Sequence, residues 1–532
     1  MNARILVTDP IAEEGIAVLA EQAQVDVRLA LKPDELRAAI ADYDALVVRS
    51  ETKVTRAVIE AAPRLRIIAR AGVGVDNIDV DAATERGIVV VNAPTGNTVS
   101  AAELTVALIL ALARHVPQAD ASLRRGEWSR QNFMGVEVRG KTVGIIGLGQ
   151  VGAAVARRLR GLEMTVLAYD PYVPEERARL LGVELAAFDE VLRRADFLTL
   201  HTTLTPETTH LIGREQIAAM KPGSRLINTA RGGLVDETAL LEALNSGHIA
   251  GAGLDVFEQE PPPGDNPLLT HPRVICVPHL GASTAEAQER VAVDVAREVL
   301  LVLSGQLATA AVNAPFVDPE TLAVVGPYLD VAQMCGTLAT QLSEGQWRSV
   351  RLKFQGELAN HDVTALKASA VAGLLATISE EHVNLVSVNH IIAHRGWQVI
   401  EEMDPDAGSY ANLVTVELRT SAGVVAVSGT RVHSEPHIVE INGAANVDIS
   451  RGGQPPGHCH ILILENEDRP GRVGAVGTEL GQMEVNISSM DVGRRDGGMA
   501  LMVLTVHRAL TSEELHRIGA IPGIERVVQA RI

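Results

Sequence analysis

Three ionisable residues stand shortly after apolar runs in this chain: Arg231 in INTARGGLVDE, Glu260 in LDVFEQEPPP and His279 in VICVPHLGAST. A guanidinium can grip a carboxylate through paired hydrogen bonds, and a carboxylate beside an imidazole fixes its tautomer and raises its pKa. An arginine, an acid and a histidine therefore suit removal of a hydroxyl proton from a small carboxylic acid. In that scheme His279 is the base, Glu260 its brace and Arg231 the clamp. Each also has a plainer local reading: a surface arginine in a glycine turn, a solvated acidic loop held by Pro261 to Pro263, and an exposed histidine. The proton chemistry becomes an oxidation if a hydride acceptor is bound nearby.

A cradle for such an acceptor is written in residues 140–171, GKTVGIIGLGQVGAAVARRLRGLEMTVLAYDP. A short apolar strand leads into Gly147, Gly149 and Gly152, then an amphipathic helix, Ala153 to Leu162, then a second strand ending at Asp170. In a βαβ unit the first glycine permits the turn, the second lets backbone approach a pyrophosphate, and the third lets helix and sheet pack closely. The helix N-terminus then holds the phosphates. A carboxylate at Asp170 accepts from both adenosine ribose hydroxyls and repels a 2′-phosphate. Pro171 and Tyr172 follow with no adjacent arginine, so the cofactor expected is NAD, not NADP. Asp255 and Thr229, at neighbouring strand ends, are candidates for the reactive end of that cofactor. The competing reading is a glycine turn without a ligand.

The elements that must position these groups are short β-branched runs separated by helical stretches. Residues 3–8, 45–49, 66–70 and 88–92 predict a first parallel sheet, and 143–147, 165–169, 196–201, 225–229, 250–255 and 274–277 a six-stranded doubly wound one. Ligands bind outside the carboxyl ends of such strands, which is where the candidate residues fall. A helical stretch over 97–125 makes the first crossing between the two domains, and one from Thr284 to Leu303 returns. The first domain is therefore 1–96 plus 291–314, and the dinucleotide domain is 97–290. Asn313, Ala314 and Pro315 break the pattern. Residues 316–451 then read as α+β, with helices at 319–345 and 362–380 and antiparallel strands at 413–418, 423–428 and 437–441. After the GGQPPG linker at 452–457, the segment 455–532 follows the ferredoxin-like βαββαβ order.

With 532 residues, 46% of them hydrophobic and 21% charged, the chain is long enough for several packed domains. A formal charge of -19 argues against nucleic-acid binding. The opening MNARILVTDP reads as strand and turn, so no signal peptide is expected, and the apolar run Leu104 to Ala113 is too short to span a bilayer. Cys276, Cys335 and Cys459 are odd in number and far apart. They suit reduced core thiols in a cytoplasmic protein and call for neither a disulfide framework nor a metal.

GLGQVG with Asp170, TARGGLVDE, LDVFEQEPP and PHLGAST together resemble the D-isomer-specific 2-hydroxyacid dehydrogenases. Arg231, Glu260 and His279 match that family's catalytic triad in order and context. The resemblance implies a Rossmann NAD domain inserted in a flavodoxin-like substrate domain. It assigns cofactor contacts to Gly147, Gly149, Gln150, Val151, Gly152 and Asp170, and at the reactive end to Thr202, Thr229, Ala230, Asp255, Gly281 and Ala282. VVRSETKVT, ARAGVGVDNID, NAPTGN and the two C-terminal domains are similar to the long-form branch, whose members oxidise 3-phospho-D-glycerate at the start of phosphorylated serine synthesis. A phosphorylated substrate needs extra cations in an acidic protein. The resemblance gives that task to Arg49, Ser50, Arg70 and Gly72, with Arg130 contributed by a partner subunit of a homodimer or homotetramer.

The last domain resembles the ACT domain, whose copies pair edge to edge and bind amino acids between them. The matching positions are Asn466, Asp468, Gly471 and Asn486, and L-serine is the implied effector. Asn466 stands where relatives often carry histidine or tyrosine. Residues 316–451 resemble the intervening allosteric domain. Three other readings remain at this point: a dehydrogenase for glycerate or 2-hydroxyglutarate, a metabolite sensor without catalysis, and C-terminal domains that only assemble the oligomer.

Overall fold

The computed structural model describes residues 3–314, 319–379, 384–455, 457–495 and 498–532; Pro315, Pro456 and the tip of the GRRDGG turn lie outside them. The first sheet contains β1 (Arg4–Val7), β2 (Gln24–Val27), β3 (Ala45–Val48), β4 (Ile67–Arg70) and β5 (Val89–Val91), all parallel, in the order β2-β1-β3-β4-β5. That is the flavodoxin-like order. Its strands are near-continuous Val, Ile and Leu because both faces are covered: Ile5, Val7 and Val47 lie on one face, Leu6, Leu46 and Val48 on the other. The strand β2, QVDV, escaped the sequence reading because it is a half-exposed edge with little apolar signal.

The second sheet adds β6 (Thr142–Ile146), β7 (Thr165–Tyr169), β8 (Glu184–Leu185), β9 (Phe197–Leu200), β10 (Ser224–Asn228), β11 (Ile249–Leu254) and β12 (Val274–Cys276). Their order is β12-β11-β10-β9-β6-β7-β8, parallel throughout, which corrects the expected six strands to seven. The extra strand β8 is a two-residue edge, too short to leave a periodic signal. The order reverses between β6 and β9, and the crevice above that switch point is where a dinucleotide binds.

The expected helix over 97–125 is two helices, Thr98–Arg114 and Val116–Arg124, bent by 62°. His115 adopts a left-handed φ of 56°, and Pro117 lacks the N–H that would bond the Ala113 carbonyl, which Val136 satisfies instead at 2.9 Å. The returning helix, Ala285–Leu303, is capped by the Thr284 hydroxyl and packs on the first domain. A Cβ at Gly15 would lie 2.6 Å from that of Ala292, so the helix Glu13–Ala20 and the returning helix touch only because residue 15 is glycine.

The third sheet is mixed: β13 (Trp347–Gly356), β14 (Gln398–Asp404), β15 (Asn412–Thr420), β16 (Val424–Val432), β17 (Glu435–Ile441) and β18 (Ala444–Ser450), ordered β14-β13-β15-β16-β17-β18. Only β15, β16 and β17 had been expected. The long helix expected over 319–345 is Pro319–Val325, a 3-10 turn and Leu329–Leu342, and that over 362–380 shortens to Thr364–Leu375. The stretch Glu320–Leu342 is long and apolar enough to cross a membrane by composition, but Val331, Cys335, Leu338 and Leu342 pack into the domain core.

The last sheet, β19 (His460–Glu467), β20 (Ile487–Arg495), β21 (Met499–Val506) and β22 (Ile524–Arg531), is antiparallel in the order β20-β21-β19-β22. Alternate residues of β19 and β21 face opposite ways. Leu462, Leu464, Met502 and Leu504 meet the helices Arg472–Gln482 and Ser512–Gly519, whereas Ile461, Ile463, Leu501 and Val503 join the core of the preceding domain.

Candidate active site

The glycine loop has the geometry the sequence demanded. Gly147 has φ 92°, and a Cβ there would sit 2.5 Å from the His201 carbonyl oxygen. A Cβ on Gly152 would meet the Gly147 carbonyl at 2.1 Å, but one on Gly149 would meet nothing within 4 Å. The open side of Gly149, at the N-terminus of the Gln150–Gly161 helix, leaves the space and the free N–H groups that a pyrophosphate requires. Gln150 and Val151 open that helix, and Thr202 follows His201 beside Gly147. Asp170 is held at the end of β7 by the N–H groups of Leu148 at 2.8 Å and Tyr172 at 2.9 Å. The residues present therefore fit NAD. His201, half-buried and bonded to Thr199 at 3.0 Å, is pushed down to about 3 by desolvation of its ring, so it is neutral near pH 7.

His279 and Glu260 come together as expected, with Nδ1 2.7 Å from a Glu260 carboxylate oxygen. The other Glu260 oxygen accepts from the Phe257 N–H at 3.1 Å. Burial alone pushes Glu260 upward; the hydrogen bond and charge of His279, with the Phe257 N–H and Arg231, outweigh it and hold the carboxyl below its usual range. His279 has a φ of 54°, a backbone turn fixed by its N–H bonding to the carbonyls of Asp255 and Val277. Asp255 is buried and anchors the loop beyond through the N–H groups of Leu280 and Gly281. Burial raises its pKa, against those two N–H bonds. Thr229 is tied to the buried Thr105 hydroxyl at 2.8 Å, and the Ala282 carbonyl accepts from Gln288.

Arg231 emerges from β10 on a loop fixed by Asn228, which accepts from the Ala230 N–H at 3.1 Å and donates to the Arg231 carbonyl at 2.7 Å. A Cβ on Gly232 would lie 1.9 Å from the Phe257 carbonyl, so the loops bearing Arg231 and Glu260 are locked backbone to backbone. The guanidinium donates to the Ala230 carbonyl at 2.7 Å and, across the cleft, to Asp76 at 3.2 Å.

The facing wall comes from the first domain. A cavity of about 500 Å³ is lined by Ser50, Lys53, Thr55, Arg70, Asp76, Asn77 and Asp79, and on the other side by Glu260 and His279. Arg70, at the end of β4, is lowered to about 10 by burial and by the like charges of Arg231 and Arg49. Its Nε is buried without a partner, and a Cβ on Gly72 would overlap its guanidinium. Arg49 is positioned by Asp9, which accepts from its backbone N–H at 2.6 Å. Arg130 stands apart, exposed in a 3-10 turn and outside the lining of that cavity. Lys53 and Asp76 were missed although both lie inside the quoted segments VVRSETKVT and ARAGVGVDNID. A charged residue one turn past a strand end carries no signal until the loop is folded.

The ACT-like positions are not gathered within one chain. Asn466 is buried with its side-chain oxygen unpartnered, Asp468 pairs with Arg494, and Gly471 caps the following helix with φ 93°. The register of β19, β21 and β20 sets Asn486, just before β20, at the opposite end of the sheet. The edge strand β20 itself lies along β18, where a Cβ on Gly493 would meet the Ala445 carbonyl at 2.8 Å.

Fold and site together define an NAD-dependent oxidoreductase of the D-isomer-specific 2-hydroxyacid dehydrogenases. The NAD-binding domain model of that family matches residues 106–281, the D-3-phosphoglycerate dehydrogenase intervening domain 324–442, and the ACT domain 460–523. The chain belongs to the D-3-phosphoglycerate dehydrogenase family. It is 45% identical to the D-3-phosphoglycerate dehydrogenase of Methanocaldococcus jannaschii, over 98% of this chain and 99% of that one. The same enzyme of Bacillus subtilis is 41% identical, over 98% of each. A D-lactate dehydrogenase from Aquifex aeolicus complexed with NAD and lactic acid is a similar structure, with TM-score 0.53 and 29% identity, covering 59% of this chain and 99% of its own.

Proposed function

We propose that this chain oxidises 3-phospho-D-glycerate to 3-phosphohydroxypyruvate, the entry step of phosphorylated L-serine synthesis. One observation carries the choice of substrate. Arg70 and Lys53 line the same cavity as His279 and Glu260, with Arg49 and Arg231 among the charges around it. A phosphate at one end and a carboxylate at the other use that spread of cations in a protein of net charge -19. Arg231 holds the carboxylate, while Arg70, Arg49 and Lys53 take the phosphate. The hydroxyl faces His279, which removes its proton as the carbon–hydrogen bond breaks and the carbonyl forms. NAD, when bound, supplies the hydride acceptor. Glu260 keeps the imidazole in one tautomer and stabilises its protonated form.

NADH formation from 3-phospho-D-glycerate, D-glycerate and D-2-hydroxyglutarate tests the reading. It predicts by far the highest kcat/KM for the phosphorylated acid; equal values for D-glycerate would contradict it. The assembly and regulation belong to the same reading. Leu110, Val116, Leu123, Trp128 and Met134 are exposed apolar residues of the same segment as Arg130, a surface suited to a second copy that receives Arg130 in its cleft. The ACT domain takes a small ligand, L-serine, in a site that draws Asn486 from one copy and Asp468 and Gly471 from another. Titration of L-serine into the full chain, with heat expected and its absence counting against regulation, tests that part. A cytoplasmic location rests on three unpaired cysteines.

A further inference from the structure

Asp76 is the acidic side chain of the cleft that the proton chemistry leaves unexplained. Among the other carboxylates there, Glu260 serves His279, Asp79 caps a helix through the Ala82 N–H, and Asp9 accepts from the backbone of Arg49 and Thr52. Asp76 is well exposed, its side chain 68% accessible, and its ion-pair partner is Arg231. The edge of the guanidinium involved is informative. Nε donates to Asp76, NH1 is spent on the Ala230 carbonyl, and NH2 lies against Gly74, where a Cβ would be 2.0 Å from NH2 and 2.6 Å from the same Asp76 oxygen. A carboxylate needs two parallel N–H donors for a bidentate grip, and with NH1 on the Ala230 carbonyl the Nε–NH2 edge offers such a pair, of which Asp76 already takes Nε.

We propose that Asp76 is an internal rival for the carboxylate site on Arg231, so that a bound acid enters by exchanging with a carboxylate of the facing domain. This rests on the substrate reading above for the identity of that acid, but not for the exchange itself. The exchange lowers affinity for every carboxylate ligand, since one ion pair is given up for each one made. It also gives Arg231 a partner as product leaves, which keeps a cleft with three arginines from retaining anions. Gly74 is part of the device, because any side chain there would separate the two partners.

The test is titration of malonate into the NAD-loaded enzyme by calorimetry at physiological ionic strength, for wild type, Asp76→Asn and Asp76→Glu. The expected result is malonate binding tightened about fivefold in Asp76→Asn, the worth of a partly exposed ion pair, with Asp76→Glu near wild type. KM for 3-phospho-D-glycerate falls by a similar factor in Asp76→Asn while kcat does not rise. Malonate binding that is unchanged or weaker in Asp76→Asn overturns the proposal. A wild type inactive on 3-phospho-D-glycerate would instead strike the substrate reading, and the malonate titration would still decide the role of Asp76.

Discussion

The two halves of the molecule solve opposite problems. Residues 3–314 form two parallel sheets, each with separate apolar clusters on its two faces, joined by the crossing helices Thr98–Arg114 and Ala285–Leu303 with a polar cleft between. Residues 319–532 contain two modules as well, but one continuous core runs through both: Leu338, Leu352 and Val416 of the intervening domain pack in the same cluster as Ile461, Ile463 and Val503 of the ACT domain. Polar bonds reinforce it, Gln341 exchanging two hydrogen bonds with the Arg531 backbone at 2.8 and 2.9 Å. A cleft between independent cores can open and close around a substrate. A shared core couples the two modules, so any ligand bound at the ACT domain would act on the pair.

The largest effect belongs to the catalytic half. Changing His279 to Ala should lower kcat by about 10³–10⁴-fold with NAD affinity unaltered, as measured by NADH formation and cofactor fluorescence. In the other half, Ile461→Ala should cost about 2–5 kcal/mol, because the residue is fully buried in the shared core. Hydrogen exchange should then show the intervening and ACT domains losing protection together; loss confined to 457–532 would break the comparison. Next, Gly232→Ala forces the Arg231 and Glu260 loops apart and should reduce kcat/KM about 100-fold without affecting the C-terminal half.

A smaller effect concerns acid stability. Glu260 is held below its usual range, so its contribution is fully present above the ordinary carboxylate pKa of about 4.3 and is lost as pH falls through the lowered value. The melting-temperature gap between wild type and Glu260→Gln should therefore shrink as pH drops below about 4, and a gap that widens would contradict the assignment. The least effect is expected from Lys53→Ala, whose loss of an exposed cation should raise KM for 3-phospho-D-glycerate by about two- to fivefold.

The same contrast explains what the sequence could reveal. In the catalytic half, strands buried on both faces read as apolar runs, and a residue just past such a run must lie at the rim of the cleft. That Arg231, Glu260 and His279 lie at the cleft was legible for that reason, whereas their roles rested on the family motifs around them. In the C-terminal half, β13 alternates buried and solvent-facing positions, with Arg351 and Lys353 on its outer face, and β14 is an edge strand rich in Glu, so neither stood out. The ACT fold was legible from the βαββαβ order of its apolar runs, turns and helical stretches. That both faces of its sheet are buried was not, since the second face is covered by another domain. Asp76 stayed hidden for a similar reason: its partner lies 155 positions away and across the cleft.

The central claim is that His279 and Glu260 act as one unit. A double-mutant cycle on NADH formation from 3-phospho-D-glycerate tests it most directly, with His279→Ala, Glu260→Gln and the pair compared at saturating NAD. The account predicts that the double variant has a kcat within about twofold of His279→Ala, since a brace has no effect once the group it braces is gone. Losses that multiply would show Glu260 acting apart from His279 and would contradict it.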